Sequence, residues 1–365
     1  MKTKAVRVLI VDDSAVVRKC LTGWLGDNPD IEVVGTASDP YDARDKILSL
    51  NPDVITLDIE MPRMDGITFL KLIMQHRPMP VVIVSSLTTA GSRKALEALH
   101  SGAVDVMAKP QSYSISHEGA AVLVEKIKAA SASQFRRNPE HQHTEFHSRP
   151  TSVEGIGRTY HPKEIILIGA STGGTEALRK VLTRLPADLP GICIVQHIPA
   201  YFSTTFAKRL DELCSLEVIE AKSGDLVKPG RVLIAPGGYH MLLKNNGAGY
   251  TVLLNEGPKV HHQRPAVDVL FESAMNCGNA SRTLGIVMTG MGSDGARGLL
   301  SLKNAGAETV AQDESSCVVF GMPKEAIKLG AANRVLPLMT LPVFINQHAG
   351  TRASSLRPTG VATPQ

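Results

Sequence analysis

The sequence predicts an α/β protein of two domains. The first is a doubly wound domain on a five-stranded parallel sheet, and the second an α/β domain whose mostly parallel sheet carries an antiparallel hairpin. Three observations lead there. Short β-branched runs alternate with helical patterns in two series, a polar stretch without apolar periodicity separates the series, and chemistry-bearing residues recur where strands end.

The first series of strands falls at 6–11, 32–37, 54–57, 81–85 and 104–107. Each is nearly continuous in apolar residues, as a parallel sheet covered on both faces requires. Between the first two, Val17, Cys20, Leu21 and Trp24 recur at i, i+3, i+4 and i+7, one face of a helix that starts near Ser14 and closes at Gly26 and Pro29. These units place the first domain at 1–125. Segment 126–161, with Gln134, Arg136, Arg137, Asn138, Pro139, Arg149 and Pro150 and almost no apolar periodicity, reads as a flexible linker, because it buries too little to offset its ordering entropy. Its His141, His143 and His147 lack the carboxylate or cysteine framework of a metal site. Strands resume at 165–168, 192–195, 217–220, 232–234, 250–254, 284–288 and 308–311, with helices at 175–183, 266–276 and 295–304, which sets the second domain at 162–350. The Gly247-Ala248-Gly249 turn predicts antiparallel pairing within 232–254. The small, polar residues 351–365 read as a disordered tail.

Composition narrows the function. A length of 365 residues suffices for two domains, and 43% apolar with 20% charged residues is ordinary for packed cores. The net charge of +4 is scattered, and aromatics are 4%, so neither a phosphate-binding stripe nor a base-stacking surface is expected. No nucleic acid partner follows from it. Cys20, Cys193, Cys214, Cys277 and Cys317 form no C-x-x-C pair and are odd in number, as reduced thiols in a cytoplasmic protein would be. The apolar run 6–11 meets Asp12 and Asp13 too soon for a signal-peptide core, and no window reaches the length of a membrane span. A cytoplasmic monomer without membrane insertion is expected.

The first group of chemical residues is acidic. Asp12 and Asp13 end the first strand and Asp58 the third, and in a doubly wound sheet these ends converge on one crevice. Three carboxylates repel one another unless a cation lies between them, and Mg²⁺ suits best because it accepts a few carboxylates and keeps several waters. Ser85 and Lys109, at the ends of the fourth and fifth strands, would cradle a phosphoryl group developing on Asp58. Pro110 after Lys109 would make a rigid turn that aims the lysine inward. Val11-Asp12-Asp13-Ser14, the run from Leu57 through Asp58 to Gly66, and Ala108-Lys109-Pro110 resemble the receiver domain of two-component response regulators over about 5–125. The resemblance implies that Asp58 accepts phosphate from a histidine kinase, Asp12, Asp13 and Asp58 hold the metal, and Ser85 and Lys109 sense the phosphate. Ser85 stands where many receivers carry threonine.

The second group lies in the second domain. Ile168-Gly169-Ala170-Ser171-Thr172-Gly173-Gly174-Thr175 joins a strand to a helix and admits two readings, a phosphate cradle on backbone amides or a G-x-S-x-G turn exposing a serine. The phosphate reading lacks a terminal Gly-Lys-Ser/Thr. Two further strand ends favour the serine: Gln196-His197 brings an imidazole, and the run Thr289 to Gly295 brings the carboxylate of Asp294. A serine attacks an ester only if a base takes its proton, and imidazole titrates near neutrality. Asp294 would orient and stabilise that imidazole, and amides of the 290–292 turn would bind the oxyanion.

These blocks, with Gln196 to Pro199, Ala235 to Gly238, Arg264 to Asp268 and Phe320 to Pro323, resemble the protein-glutamate methylesterase of bacterial chemotaxis over roughly 160–345. The resemblance implies a triad of Ser171, His197 and Asp294, an oxyanion donor in the Met291 amide, and no cofactor for the hydrolysis. It also implies a reaction, removal of γ-methyl esters from glutamates of chemotaxis receptors with release of methanol, and many members also deamidate glutamines. The histidine kinase of the pathway would be the phosphodonor, and the domain order implies that the receiver covers the esterase cleft until it is phosphorylated. The basic run His261-His262-Gln263-Arg264 has no role that the resemblance assigns.

Overall fold

The computed structural model describes residues 4–86, 88–109, 117–133 and 157–354. In the first domain, β1 (Val6–Val11), α1 (Ala15–Gly26), β2 (Ile31–Ala37), α2 (Pro40–Leu50), β3 (Val54–Leu57), α3 (Gly66–His76), β4 (Val81–Ser85), α4 (Thr89–His100), β5 (Asp105–Ala108) and α5 (His117–Ala132) alternate strictly. The sheet order is β2-β1-β3-β4-β5, all parallel. Helices cover both faces because the strands are apolar on both, with β3 and β4 wholly buried. Gly66 has no room for a side chain, since a Cβ there would lie 2.1 Å from the Asp58 carbonyl oxygen. The residue after Asp65, which caps α3, must therefore be this small.

The second domain contains β6 (Ile165–Ala170), α6 (Gly174–Leu182), β7 (Gly191–Gln196), α7 (Phe202–Leu213), β8 (Glu217–Glu220), β9 (Leu226–Val227), β10 (Arg231–Ile234), β11 (His240–Asn245) and β12 (Tyr250–Asn255). Then come α8 (Val267–Asn276), β13 (Thr283–Val287), α9 (Ala296–Asn304), β14 (Glu308–Gln312), α10 (Met322–Lys328), β15 (Arg334–Leu336) and α11 (Leu341–Ser354). Seven strands form a parallel sheet in the order β15-β14-β13-β6-β7-β10-β8, and a small antiparallel sheet has the order β11-β12-β9. No helix among the described residues is long and apolar enough to cross a membrane.

Three expectations need correction. The linker does not start at 126: α5 continues to Ala132, because Leu123, Ile127 and Ala130 pack at helical spacing into the core that holds Trp24. The tail does not start at 351: α11 continues to Ser354, and Arg352 Nη2 donates to the Ser281 carbonyl at 2.8 Å. Within 232–254 the antiparallel hairpin is β11–β12 alone, and β10 lies parallel between β7 and β8. Pro110, the three linker histidines and residues 355–365 lie outside the described residues.

The two domains share one apolar cluster, which runs from Leu57 and Ile83 through Ala95 and Ala98 on α4 to Leu178, Phe202 and Phe206. At its rim the His100 Nδ1 on α4 lies 3.1 Å from Glu176 Oε2 on α6, and Arg179 grips the same carboxylate at 2.6 and 2.9 Å. Burial alone would raise the Glu176 pKa, but the bonds from Arg179 and His100 outweigh it and hold it at about 2. A carboxyl depressed from 4.5 adds stability that is full above that pH and is lost as pH falls through 2. Glu176→Gln is therefore expected to lower stability at pH 7 by on the order of 2 kcal/mol. In thermal melts the gap in Tm from the parent chain should close between pH 4.5 and 2. A gap of constant size down to pH 2.5 would assign the effect to packing instead.

Candidate active site and phosphoacceptor pocket

The strands β13, β6 and β7 are neighbours, and the chain leaves β6 toward β7 on one side but leaves β13 toward β14 on the other. Their carboxyl ends thus border the crevice where doubly wound sheets bind ligands. Ser171 follows β6, His197 follows β7, and Asp294 lies in the turn between β13 and α9. Backbone bonds lock these ends together: Ser171 N donates to Thr289 O at 3.0 Å, and His197 N to Ala170 O at 3.1 Å. All three side chains are buried, at 8%, 6% and 1% exposure.

His197 Nε2 lies 2.8 Å from Asp294 Oδ2. The imidazole proton belongs on Nε2 in that contact, which leaves the Nδ1 lone pair as the base. The Ser171 hydroxyl makes no hydrogen bond to a described side chain, so the chain from hydroxyl to imidazole is not closed in this resting conformation. Catalytic bonds of this kind often tighten only when substrate arrives.

The serine turn is shaped by small residues. Gly173 takes the left-handed conformation at φ 77°, and a Cβ on Gly174 would lie 2.1 Å from Gln196 Oε1. Gln196 is 2% exposed and holds the turn from beneath, its Nε2 donating to Ser171 O at 2.9 Å and His197 O at 3.2 Å. A Cβ on Gly290 would lie 2.6 Å from that of Ser171, so the 290 turn must be glycine to reach the serine. Thr289 is wholly buried and bonds Thr172 O and Val319 O through its hydroxyl. The carbonyl of Gly290 takes the amides of Gly321 and Met322, whereas the amides of Thr172 and Met291 bond no described acceptor. Thr172 directly follows the serine, and Met291 follows Gly290, whose backbone closely approaches it.

Asp294 does not cap the helix that follows it, since α9 starts at Ala296 behind Gly295, with no side-chain cap. It caps α8 instead: Val267 N donates to Oδ2 at 2.7 Å and Asp268 N to Oδ1 at 2.9 Å. Burial pushes its pKa up, but His197 and these two amides outweigh that and hold it below the usual carboxylate range.

In the first domain, oxygens of Asp12, Asp13 and Asp58 lie within 4.8 Å of one another, with Asp13 exposed and the other two buried. Lys109 Nζ reaches Asp12 Oδ2 at 2.9 Å and Asp58 Oδ2 at 2.7 Å. It does so off the hydrogen-bond axis, and both oxygens lack an aligned donor, as does the buried Ser85 hydroxyl. Burial raises Asp58 to about 6, with Lys109 pulling the other way and Asp12 adding to the rise. Three clustered carboxylates with a single ammonium bridging two of them, beside an uncommitted hydroxyl, suit a hard cation and a phosphoryl group.

One bond joins the two regions. Thr172, the residue after the serine, donates its hydroxyl to Asp105 Oδ2 at the start of β5, while Lys126 holds the other oxygen at 2.7 Å. Sequence reasoning found the serine, imidazole and carboxylates from their strand ends. It missed Gln196 as a prop, the Thr172 amide and the Asp105 contact, because none belongs to a strand-end motif that names its distant partner.

Comparison with known proteins places the two halves. Residues 166–345 match the CheB methylesterase family, and residues 8–116 match the response regulator receiver domain. A protein-glutamate methylesterase/protein-glutamine glutaminase of Syntrophus aciditrophicus is 55% identical, over 91% of this chain and 96% of its own length. Another of Rhodospirillum rubrum is 52% identical over 96% and 99%. The Thermotoga maritima CheB methylesterase catalytic domain superposes with a TM-score of 0.50 at 40% identity, covering 51% of this chain and 98% of that one. With a receiver in front of a methylesterase domain and relatives matched nearly end to end, this chain belongs to the protein-glutamate methylesterase/protein-glutamine glutaminase family.

Proposed function

We propose that this chain hydrolyses γ-methyl esters on glutamates of chemotaxis receptors, deamidates glutamines at the same carbonyl position, and is switched on by phosphorylation of Asp58 in its receiver domain. The observation that carries this reading is the His197–Asp294 pair beside Ser171 at three adjacent strand ends. The serine oxygen attacks the γ-carbonyl carbon while His197 Nδ1 takes its proton. Asp294 steadies the imidazolium, and the amides of Thr172 and Met291 receive the oxyanion. Collapse breaks the carbon–oxygen bond to methoxide, which leaves as methanol with the proton from His197. Water then attacks the acyl-serine by the reverse proton path, leaving a glutamate carboxylate. With a glutamine substrate the leaving group is ammonia.

In the receiver, Asp12, Asp13 and Asp58 would hold Mg²⁺, which supplies charge neutralisation for the phosphoryl oxygens. A carboxylate oxygen of Asp58 attacks the phosphorus of a kinase phosphohistidine, the phosphorus–nitrogen bond breaks and the kinase imidazole leaves. Lys109 and Ser85 would bind the resulting acylphosphate, a role supported by the Lys109–Asp58 contact and the unpartnered Ser85 hydroxyl. The receiver restrains the esterase through the Thr172–Asp105 bond and the apolar cluster around α4, and phosphorylation in the cytoplasm loosens that packing.

Two outcomes test this. Ser171→Ala should cut methanol release from methylated receptors by at least roughly 10⁴-fold. Phosphate uptake by Asp58 should remain intact, and near-normal release from that variant would refute the assignment. Asp105→Ala should raise the rate without phosphodonor by about fivefold, the effect of one hydrogen bond of about 1 kcal/mol. An unchanged basal rate and unchanged stimulation would show that this contact does not restrain the esterase.

A further inference from the structure

We propose that His261 and Asp268 form a second imidazole–carboxylate pair that positions Asp294 against His197, making His261 a positioning residue for the esterase reaction. This rests on reading Ser171, His197 and Asp294 as the reacting groups.

The geometry begins with a strained turn. Val260 N donates to Gln263 O at 3.1 Å and Gln263 N to Val260 O at 2.9 Å, closing a two-residue reversal. Its central residues, His261 and His262, both have positive φ, at 51° and 59°. Two successive left-handed residues make the turn type that Asn-Gly fills readily, and each residue with a bulkier side chain adds about 1 kcal/mol of strain. Strain retained at one place marks a position where the side chain has a task. Here the turn sets His261 Nε2 3.0 Å from Asp268 Oδ2 at the rim of the site, its side chain still 33% exposed, while His262, also exposed, makes no such contact.

Asp268 connects that imidazole to the active site. It is 4% exposed, and its other oxygen takes the Gly298 amide at 2.7 Å. Its own backbone N–H is one of the two amides that hold Asp294, at 2.9 Å. One atom from each of His261, Asp268 and Asp294 falls within 4.8 Å of the others, so two buried carboxylates stand side by side with an imidazole on each flank. Burial and the charge of Asp294 both push the Asp268 pKa up, against the Gly298 amide and His261. Without a partner, Asp268 would either take a proton or repel Asp294. Either change alters the first turn of α8, whose amides fix the Asp294 carboxylate.

The surrounding charged groups are otherwise committed or turned outward. His240 on β11 accepts from Ala266 N at 3.2 Å through Nδ1 and meets Pro258 O at 2.9 Å through Nε2, so both its ring nitrogens are committed. Arg264 donates to the carbonyls of Glu256 and Gly257 at 2.6 and 3.0 Å. Glu272 on α8 and Arg297 on α9 are exposed, Lys259 is exposed in the irregular segment between β12 and the turn, and His197 lies beyond Asp294.

The test uses the full chain with a small acyl phosphate as phosphodonor and methylated receptor as substrate, comparing His261→Gln, Asp268→Asn, the double variant and His262→Ala. His261→Gln should lower kcat by roughly ten- to a hundredfold with KM nearly unchanged, because a base held loosely acts on the transition state rather than on binding. The acid limb of kcat/KM should move up in pH in His261→Gln, where an unbalanced carboxylate favours the imidazolium of His197. It should move down in Asp268→Asn and return to the parent position in the double variant, with shifts of roughly half a unit or more. His262→Ala, in the same strained turn, should match the parent. Equal losses in His261→Gln and His262→Ala, or a limb that stays put in all variants, would overturn the pair's role and leave only a turn contact. Ser171→Ala run alongside separates the two claims. Activity surviving there defeats the triad reading, whereas activity lost there but normal in His261→Gln defeats this proposal alone.

Discussion

A carboxylate with 1% exposure is tolerated only if hydrogen bonds replace its lost water, and Asp294 is in that position. Three donors satisfy it: His197 Nε2 and the first two amides of α8. The helix start supplies positive potential as well as geometry. From this one anion follow the imidazole tautomer, the docking of α8 against the strand ends, and the seating of α9 on α8. Gly298 approaches so closely that a Cβ there would lie 2.7 Å from Phe271 Cβ. Loss of the carboxylate would therefore release a helix terminus along with a catalytic partner.

The two strand-end sites apply the same topology to opposite electrostatic ends. In the second domain the carboxylate is fully bonded by the protein and its charge is fixed, which suits an orienting group. In the first, Asp12 and Asp58 keep oxygens without aligned donors, and burial pushes both pKa values up. A site left incomplete in this way exchanges its charge with what it binds. The difference separates a permanent catalyst from a switch, although both sit at the carboxyl ends of strands flanking a topological switch point.

Much of this was legible in the sequence because strand ends are local features. An apolar run followed by a polar residue locates Asp12, Asp58, Ser171 and His197 without knowledge of the fold, and the doubly wound topology then brings them together. The parts that were not legible are long-range. Asp294 reads locally as a cap for α9, yet its amide partners lie 26 and 27 residues earlier on α8. The place of β10 in the parallel sheet was obscured by the glycine turn that follows β11. The ends of α5 and α11 were misjudged because what anchors them is long-range: Ile127 and Ala130 pack into the core of the first domain, and Arg352 bonds the Ser281 carbonyl 71 residues away.

The link between switch and catalyst is short. β5 has four residues, with Asp105 at its first position and Lys109 immediately after its last. Lys109 touches Asp58, and Asp105 bonds Thr172, whose amide flanks the reacting serine. At about 3.3 Å per residue the strand spans roughly 13 Å, so one element connects the ammonium beside Asp58 to the contact next to Ser171. Lys109 now divides itself between Asp12 and Asp58, and a phosphoryl group on Asp58 would offer it a stronger partner. A pull on that end of β5 needs no relay of side chains to be felt at the other. It shifts or tilts a strand whose far carboxylate is gripped by Lys126 on α5 and by Thr172 across the interface. Lys126 belongs to the same domain and moves with the strand, so Thr172 is the contact that must yield.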